Sequence, residues 1–145
     1  MNRYTTLFFP DVNVWLALML EHHIHWRTAR AWWQISDGAI AFTRFTQISV
    51  LRLLTTNAAM DGKPITMHEA WRVHDSLYAD DRVMLMADPD GAETRFREYT
   101  SARTASPKLW ADAWLLAVAQ AANGTLLTFD RALIARGAQC LLSST

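Results

Sequence analysis

The chain has 145 residues, of which 51% are hydrophobic, 11% aromatic and 19% charged, enough apolar material for the core of one domain. This composition excludes a disordered or low-complexity chain, and fourteen basic residues balance fourteen acidic ones, so no overall positive charge indicates a nucleic-acid binder. The single cysteine, Cys140, excludes an internal disulfide and a cysteine-rich zinc site. The longest apolar run, residues 14–20, is far shorter than the ~20 residues that span a bilayer. We therefore expect a single cytoplasmic domain covering residues 1–145, with no membrane association.

Short apolar segments alternate with longer segments of helical spacing along the chain. In chain order, the predicted elements are a strand at 5–9, helices at 12–21 and 25–34, a strand at 39–42, a helix at 45–56, a helix capped by Thr66, a strand at 83–87, a helix at 92–99, a helix from the Ser106-Pro107 pair to 122, a strand at 125–128, a short helix at 131–136 and a strand at 139–142. This alternation predicts an α/β fold, a parallel sheet in a three-layer sandwich with helices on both faces.

Three aspartates are predicted to meet at one edge of this sheet. Asp11 directly follows the first strand, and Asp130 follows the fourth. Asp112, six residues after Ser106, falls in the second turn of the helix that leads into the fourth strand. The carboxyl ends of parallel strands share the edge at which open α/β sheets bind ligands, so these side chains are expected to converge there.

Each aspartate also has a structural interpretation that needs no ligand. Asp11 and Asp130 each precede a predicted helix, and aspartate is a favoured N-cap residue. Asp112 lies on an apolar helix, where Lys108, four residues earlier, offers an ion pair. Only the convergence of all three favours a functional site over these local roles.

Clustered carboxylates imply a cation. Each pair at ~4 Å repels by about 4 kcal/mol at an effective dielectric of 20, so either a proton or a cation must neutralise the cluster. Oxygen ligands without cysteine favour Mg²⁺ or Mn²⁺ over zinc. Such an ion generates hydroxide from bound water and stabilises charge on a phosphoryl group, which points to phosphodiester cleavage.

Four segments resemble the motifs of PIN-domain ribonucleases, and their combination is most similar to the VapC toxins of bacterial toxin–antitoxin pairs. The segments are PDVNVWLAL at 10–18, TQISVLRLL at 46–54, SPKLWADAWL at 106–115 and TLLTFD at 125–130. The resemblance covers nearly the whole chain, with the motifs in the family's order. Each motif alone is weak, whereas the ordered set is fairly specific.

The resemblance implies an α/β/α sandwich with strand order 3-2-1-4-5 and RNA cleavage that depends on Mg²⁺ or Mn²⁺. Asp11 and Asp112 match the positions expected to hold the metal, and Asp130 matches the outer acid of the cluster. Thr128 matches a hydroxyl that orients a ligand or water, and Asn13 lies where it can support the same site. The family comparison also implies a homodimer and a VapB-type antitoxin that inserts a peptide into the acidic groove.

One motif departs from the family pattern. The family usually has a glutamate on the helix after the second strand, and no acid occurs between Asp37 and Asp61 in this chain. Gln47 is the nearest candidate; its neutral amide can orient a metal-bound water but cannot act as an anionic ligand or a base. The alternative is a polar residue of the first helical turn with no role in the site.

Other polar and aromatic groups are given less specific roles. His22, His23 and His25 lack a zinc-site spacing, and a packing or capping role is expected for His25. The tryptophans at positions 32, 33, 110 and 114 are expected in the core or an interface. The candidates for contact with RNA phosphates are Arg44, Lys108 and Arg131, for each of which an ordinary surface charge is the alternative.

Three functional hypotheses follow from these patterns. The first is a metal-dependent endoribonuclease of the VapC toxin type, with Asp11, Asp112 and Asp130 as metal residues and Thr128 and Gln47 beside them. The second is a PIN-like module that has lost catalysis but still binds RNA or protein. The third, an aspartyl phosphatase or a receiver domain, is disfavoured because the Asp11-Val12-Asn13 sequence lacks the second acid that either would need.

Overall fold

The computed structural model describes residues 6–142. Its strands and helices are, in chain order, β1 (Leu7–Pro10), α1 (Val12–Met19), α2 (Trp26–Ile35), β2 (Ala39–Thr43), α3 (Arg44–Leu54), α4 (Met67–Ser76), β3 (Val83–Met86), α5 (Ala92–Tyr99), α6 (Leu109–Ala121), β4 (Thr125–Thr128) and β5 (Gln139–Cys140). Single 3-10 segments at Leu77–Ala79 and Arg131–Arg136 follow α4 and β4. Within this part of the chain, no helix has the length and apolar character needed to cross a bilayer.

The strands form one sheet in the order β3-β2-β1-β4-β5, and every neighbouring pair is parallel. The predicted fold class and strand order are therefore confirmed. The central strand β1 pairs with β2 on one side, where Phe8 lies opposite Ile40, and with β4 on the other, where Pro10 lies opposite Leu127. Residues that follow β1 consequently emerge between the carboxyl ends of its two neighbours.

Alternation along the strands builds two hydrophobic cores, one on each face of the sheet. Phe8, Ile40 and Leu127 face helices α1 to α4. Their sequence neighbours Phe9, Ala41 and Leu126 face α5 and α6. The buried side chains of these two cores cover both faces, as expected for a parallel sheet.

A buried aromatic pair packs α1 against one face of the sheet. Trp15 stacks on Phe42 at a centroid distance of 3.7 Å and an interplanar angle of 6°, and both rings are fully buried. The indole N–H of Trp15 has no hydrogen-bond partner in the described structure, so the pair is held by packing alone. This contact fixes the helix that follows Asp11 to the strand that precedes Arg44.

Several element boundaries differ from the predictions. Thr5, where the first strand was predicted to begin, lies outside the described residues. Helix α1 ends at Met19 rather than at residue 21 because Leu20 is extended, and β5 ends at Cys140 rather than at 142. Helix α6 begins at Leu109, because the Leu109 N–H donates to the Ser106 carbonyl in a separate turn. Trp110 is 56% exposed, whereas Trp32 and Trp33 are buried as predicted.

A close approach of backbone at Gly124 joins α6 to the sheet. A Cβ atom at this position would lie 2.8 Å from the Leu7 carbonyl oxygen and 2.8 Å from Cε2 of Phe9.

We predict that Gly124→Ala lowers the free energy of unfolding by about 1–3 kcal/mol through this overpacking. Urea denaturation measures the effect. Thr104→Ala, in an exposed loop, serves as the control and is expected to change stability by less than about 0.5 kcal/mol. Equal stability of the two variants would contradict the close contact.

Candidate active site

Asp11 is fixed at the start of α1 by its own backbone and side chain. Its N–H donates to the Leu127 carbonyl at 2.9 Å, which extends the pairing of β1 with β4 by one bond. Its Oδ1 accepts from the Val14 N–H at 2.9 Å, so Asp11 caps the helix. The Asn13 N–H also contributes a hydrogen bond to the carboxylate, although the Asn13 side chain is exposed. Capping does not exclude the predicted role in a metal site, since Oδ1 alone accepts the capping bond from Val14.

Thr128 connects two of the three predicted acids. Its side chain is fully buried at the end of β4 and hydrogen-bonds to the Asp11 carboxylate. Its Oγ1 also accepts from the Asp130 N–H at 3.0 Å. One hydroxyl therefore links the ends of β1 and β4.

Asp112 lies in the first turn of α6, not in the second turn as predicted, because the helix begins three residues after Ser106. The side chain is half-buried, and neither it nor Lys108 forms an ion pair with any described residue. The ion pair that offered an alternative explanation for Asp112 is therefore not formed. Within residues 6–142, the Asp112 carboxylate has no basic partner.

The charges of Asp11 and Asp112 are poorly solvated. Burial and, to a smaller extent, repulsion from the nearby Asp112 raise the pKa of Asp11 to about 6, against the hydrogen bonds from Val14, Thr128 and Asn13 that lower it. Burial also raises the pKa of Asp112, and repulsion from Asp130 adds to this shift. Asp112 thus interacts electrostatically with both other acids, which shows that the three side chains share one region.

Asp130 occupies the outer side of this region. It is exposed and caps the 3-10 segment after β4, where its Oδ1 accepts from the Ala132 N–H at 2.9 Å. Among residues 6–142, no three His, Cys, Asp or Glu side chains are close enough together to hold a metal ion as one ligand set. The expected three-carboxylate cluster is therefore not closed in this structure.

The donor chemistry still fits a hard divalent cation. Mg²⁺ usually keeps several waters and is bound through one or two carboxylates rather than by a complete protein cage. Asp11 and Asp112 supply two such carboxylates, both partly desolvated and without a basic partner among the described residues. A cation held by these carboxylates would favour the ionised forms that burial and mutual repulsion disfavour.

Gln47 is buried in the first turns of α3, and its polar atoms bind other partners. Its Oε1 accepts from Arg44 Nη1 at 2.5 Å, and its Nε2 lies 3.4 Å from His74 Nε2. The structure records no hydrogen bond from Gln47 to Asp11, Asp112 or Asp130 across the described residues. The connection to His74 was not predicted, since the two residues lie 27 positions apart.

The other predicted polar residues lie around this edge. His25 packs against Phe129 with a ring-centroid distance of 4.5 Å, which confirms the packing role, and His23 accepts from the His25 N–H. The pKa of His23 is lowered by burial and by the neighbouring His25 and His22. The three basic candidates, Arg44, Lys108 and Arg131, are exposed.

A model of the PIN domain matches residues 8–138, which is most of the chain. The chain belongs to the PIN-domain family. A curated relative, Ribonuclease VapC41 of Mycobacterium tuberculosis, is 41% identical over 128 residues, which cover 84% of this chain and 88% of the relative. This match places the chain among the VapC-type members of the PIN family.

Solved PIN-fold structures agree with this assignment. One is Mycobacterium tuberculosis VapC20, described as a Sarcin-Ricin loop cleaving toxin, with a TM-score of 0.67, 18% identity and coverage of 91% of this chain and 96% of that one. Another is VapBC-1 of nontypeable Haemophilus influenzae, with a TM-score of 0.63, 15% identity and coverage of 94% and 98%. At these identities the structures support the PIN fold.

The raised pKa of Asp11 makes the stability of the metal-free protein dependent on pH. The native state holds this proton up to about pH 6, whereas the unfolded chain releases it near 3.8. Unfolding free energy should therefore fall as the pH rises from about 4 to about 6, by on the order of 1–3 kcal/mol. Asn is also a good capping residue, so Asp11→Asn keeps the cap, and its free energy of unfolding should not show this decrease between pH 4 and 6.

Urea denaturation in EDTA at several pH values measures the difference between the two proteins. Asp37→Asn, at an exposed carboxylate before β2, is the control and should follow the wild type. Parallel curves for the wild type and Asp11→Asn would show that Asp11 titrates normally.

The Thr128 hydroxyl should stabilise both the fold and the charge of Asp11. We predict that Thr128→Val lowers the free energy of unfolding by about 1–2 kcal/mol, because it leaves the Asp130 N–H without its acceptor. The pKa of Asp11 should rise further in the same variant, since the carboxylate loses a donor. Denaturation and carboxyl-carbon NMR titration measure the two effects. Thr128→Ser keeps the hydroxyl and should restore both; a Ser variant with the same stability and the same pKa of Asp11 as the Val variant would contradict the role of the hydroxyl.

Proposed function

We propose that this chain is a metal-dependent endoribonuclease, the toxin of a VapBC-type toxin–antitoxin pair, acting in the cytoplasm. The observation that carries the proposal is the proximity of two partly buried carboxylates, Asp11 and Asp112, without a basic partner in the described structure. Such a pair costs stability unless a proton or a cation neutralises it, and at neutral pH, above the pKa of about 6 of Asp11, a cation is the effective one. Membership of the PIN family and the name of the VapC41 relative support RNA as the substrate.

Asp11 and Asp112 would hold the cation, Mg²⁺ or Mn²⁺, and Asp130 would complete the acidic site on its exposed side. A divalent cation there supplies Lewis acidity and lowers the pKa of bound water, which is the chemistry that phosphodiester hydrolysis requires. Thr128 keeps the Asp11 carboxylate in place through its hydroxyl. The capping bond from Val14 orients the same carboxylate from the helix side.

RNA would approach over the carboxyl edge of the sheet. Asp130 is exposed there, and Arg131, which directly follows it at the start of the 3-10 segment, is exposed as well. Lys108, also exposed, directly precedes α6, the helix that carries Asp112. We assign them to contacts with backbone phosphates, which would offset repulsion between the acidic site and the RNA. Their charge supports general affinity for RNA rather than a choice of sequence.

Cleavage of total cellular RNA in a Mg²⁺ or Mn²⁺ titration tests the activity. We expect Asp11→Asn and Asp112→Asn each to lower the cleavage rate by on the order of 10²-fold or more, because each removes a charged oxygen ligand of the cation. Asp37→Asn is the matched control and should cleave like the wild type.

Binding of the ion is tested separately by calorimetry with Mn²⁺ and by the shift of the thermal midpoint. The wild type should be stabilised by Mn²⁺ and Asp112→Asn should not. Equal stabilisation of both proteins would contradict the assignment of Asp112 as a ligand.

The alternative function is a PIN-like module that binds RNA or protein without cutting. The observation that favours it is Gln47, a neutral amide where the family usually has a glutamate. A wild-type protein that is folded and binds RNA but cleaves none at any metal concentration would support this alternative over the nuclease.

We also propose an antitoxin partner and a homodimer. Structural neighbours include VapBC-1 of nontypeable Haemophilus influenzae and a toxin-antitoxin complex from Klebsiella pneumoniae. On this chain, Ile48, Met67 and Trp71 are exposed beside an apolar groove between α3 and α4, and apolar surface of this kind is typical of association sites. Light scattering of the chain alone and with an adjacent-gene antitoxin measures both assemblies.

A further inference from the structure

A polar chain runs from the surface of α4 through the interior to Arg44 on α3. His74 is buried, and its Nδ1 lies 2.8 Å from Oδ1 of Asp75, an exposed residue. Its Nε2 lies 3.4 Å from Nε2 of Gln47, whose Oε1 accepts from Arg44 Nη1. Because the Asp75 carboxylate can only accept a hydrogen bond, Nδ1 carries the hydrogen that it donates, and Nε2 is left as an acceptor for the Gln47 amide.

This arrangement determines which way the Gln47 amide faces. With its NH₂ group directed to His74, its oxygen must face Arg44, and the opposite orientation would place an amide N–H against the guanidinium. The His74 ring is itself fixed by aromatic neighbours, with centroid distances of 4.9 Å to Phe42, 5.4 Å to Trp71 and 5.3 Å to Tyr78. The polar chain therefore ends at Oε1 of Gln47, an acceptor that is oriented toward Arg44.

Arg44 begins α3 directly after β2, at the edge of the sheet where Asp11 emerges. Continuing the register of β1 and β2 to the ends of both strands places Asp11 beside Thr43. Arg44 is exposed, and Gln47 occupies one of its five N–H donors. Arg44 also acts electrostatically on Tyr78. Burial and Asp75 raise the pKa of Tyr78, and Arg44 lowers it in part.

We propose that the Asp75–His74–Gln47 chain positions the Arg44 guanidinium as a phosphate-binding group for RNA at the carboxyl edge of β2. The remaining donors form the fork that binds phosphate oxygens in pairs. In this role Gln47, His74 and Asp75 are positioning residues that need not touch the RNA. The inference rests on the proposed function for its ligand, RNA, and it gives the neutral Gln47 a use that a glutamate would not share, because a carboxylate has no N–H for His74.

The first measurement is binding of a fluorescein-labelled single-stranded oligoribonucleotide, followed by anisotropy in EDTA over a range of KCl concentrations. All variants carry Asp112→Asn so that the RNA stays intact. Arg44→Ala should weaken binding about 3- to 10-fold and reduce the slope of log affinity against log salt by about 0.7, the loss of one phosphate contact on a single strand. Arg52→Ala, two turns along the exposed side of α3, is the matched control and should leave the slope unchanged.

Asp75→Ala gives a test whose sign separates positioning from charge. Removing an exposed carboxylate ordinarily strengthens binding to RNA, because it reduces repulsion. If Asp75 positions Arg44 through His74, the variant should instead bind about 2- to 5-fold more weakly, with no further loss in the Arg44→Ala background. Glu69→Ala, an exposed carboxylate on the same helix, should not weaken binding. Tighter binding by Asp75→Ala, or loss that adds to that of Arg44→Ala, would overturn the proposal.

Nitrogen-15 NMR of the His74 ring provides a readout that does not use RNA. The wild type should show a protonated Nδ1 and an unprotonated Nε2, and Asp75→Ala should lose this preference. A protonated Nε2 in the wild type would overturn the proposal, because the Gln47 amide would then have no acceptor. His74→Phe should reproduce the binding defect of Asp75→Ala, and the exposed Asp75 variant covers the case in which that buried substitution fails to fold.

The outcomes distinguish this inference from the proposed nuclease. Cleavage by the protein without Asp112→Asn, together with no effect of Arg44→Ala on binding, would overturn the inference and leave the nuclease standing. RNA binding with the expected effects but no cleavage in Mg²⁺ or Mn²⁺ would support the inference and contradict the nuclease. Absence of both binding and cleavage would overturn both.

Discussion

The hydrogen bond between the Thr128 hydroxyl and the Asp11 carboxylate is the interaction on which the site depends. Asp11 follows the central strand, so the backbone pairing that builds the sheet places its partly buried carboxylate between the ends of β2 and β4. Burial makes the charge costly, and the buried hydroxyl, the capping N–H of Val14 and the N–H of Asn13 compensate for part of that cost. The hydrogen bonds therefore hold the Asp11 carboxylate in one position, while its burial makes it favour a proton or a cation.

The strand order explains why residues far apart in sequence act at this position. β1 lies between β2 and β4, so the segments that follow all three strands begin next to one another. On the β4 side the structure supplies acids and a hydroxyl, Asp130 and Thr128, and α6 adds Asp112. On the β2 side it supplies Arg44 and Gln47. One flank thus suits a cation, and the other suits an anion such as a phosphate.

The two flanks differ in the side chains that form them. The acidic flank consists of short side chains, and backbone N–H groups keep the carboxylate oxygens of Asp11 and Asp130 in place with little loss of side-chain entropy. The basic flank consists of one long side chain, and arginine is mobile unless something holds it. The buried ring of His74, among Phe42, Trp71 and Tyr78, provides the rigid support that an exposed helix turn lacks. The stacking of Trp15 on Phe42 connects that support to α1, which Asp11 caps.

The sequence by itself determined the alternation of strands and helices, the fold class and the positions of Asp11, Thr128 and Asp130 at strand ends, because all of these follow from short-range periodicity and from the shared direction of parallel strands. It did not determine where α6 begins, since a Ser-Pro pair suits both a helix start and the separate turn that forms here. Only the tertiary structure decided that Asp112 has no ionic partner within the described residues, that Asp11 is the most strongly perturbed carboxylate described, and that Gln47 meets His74. These properties depend on burial and on contacts between distant segments, and the spacing of residues along the sequence predicts neither of them.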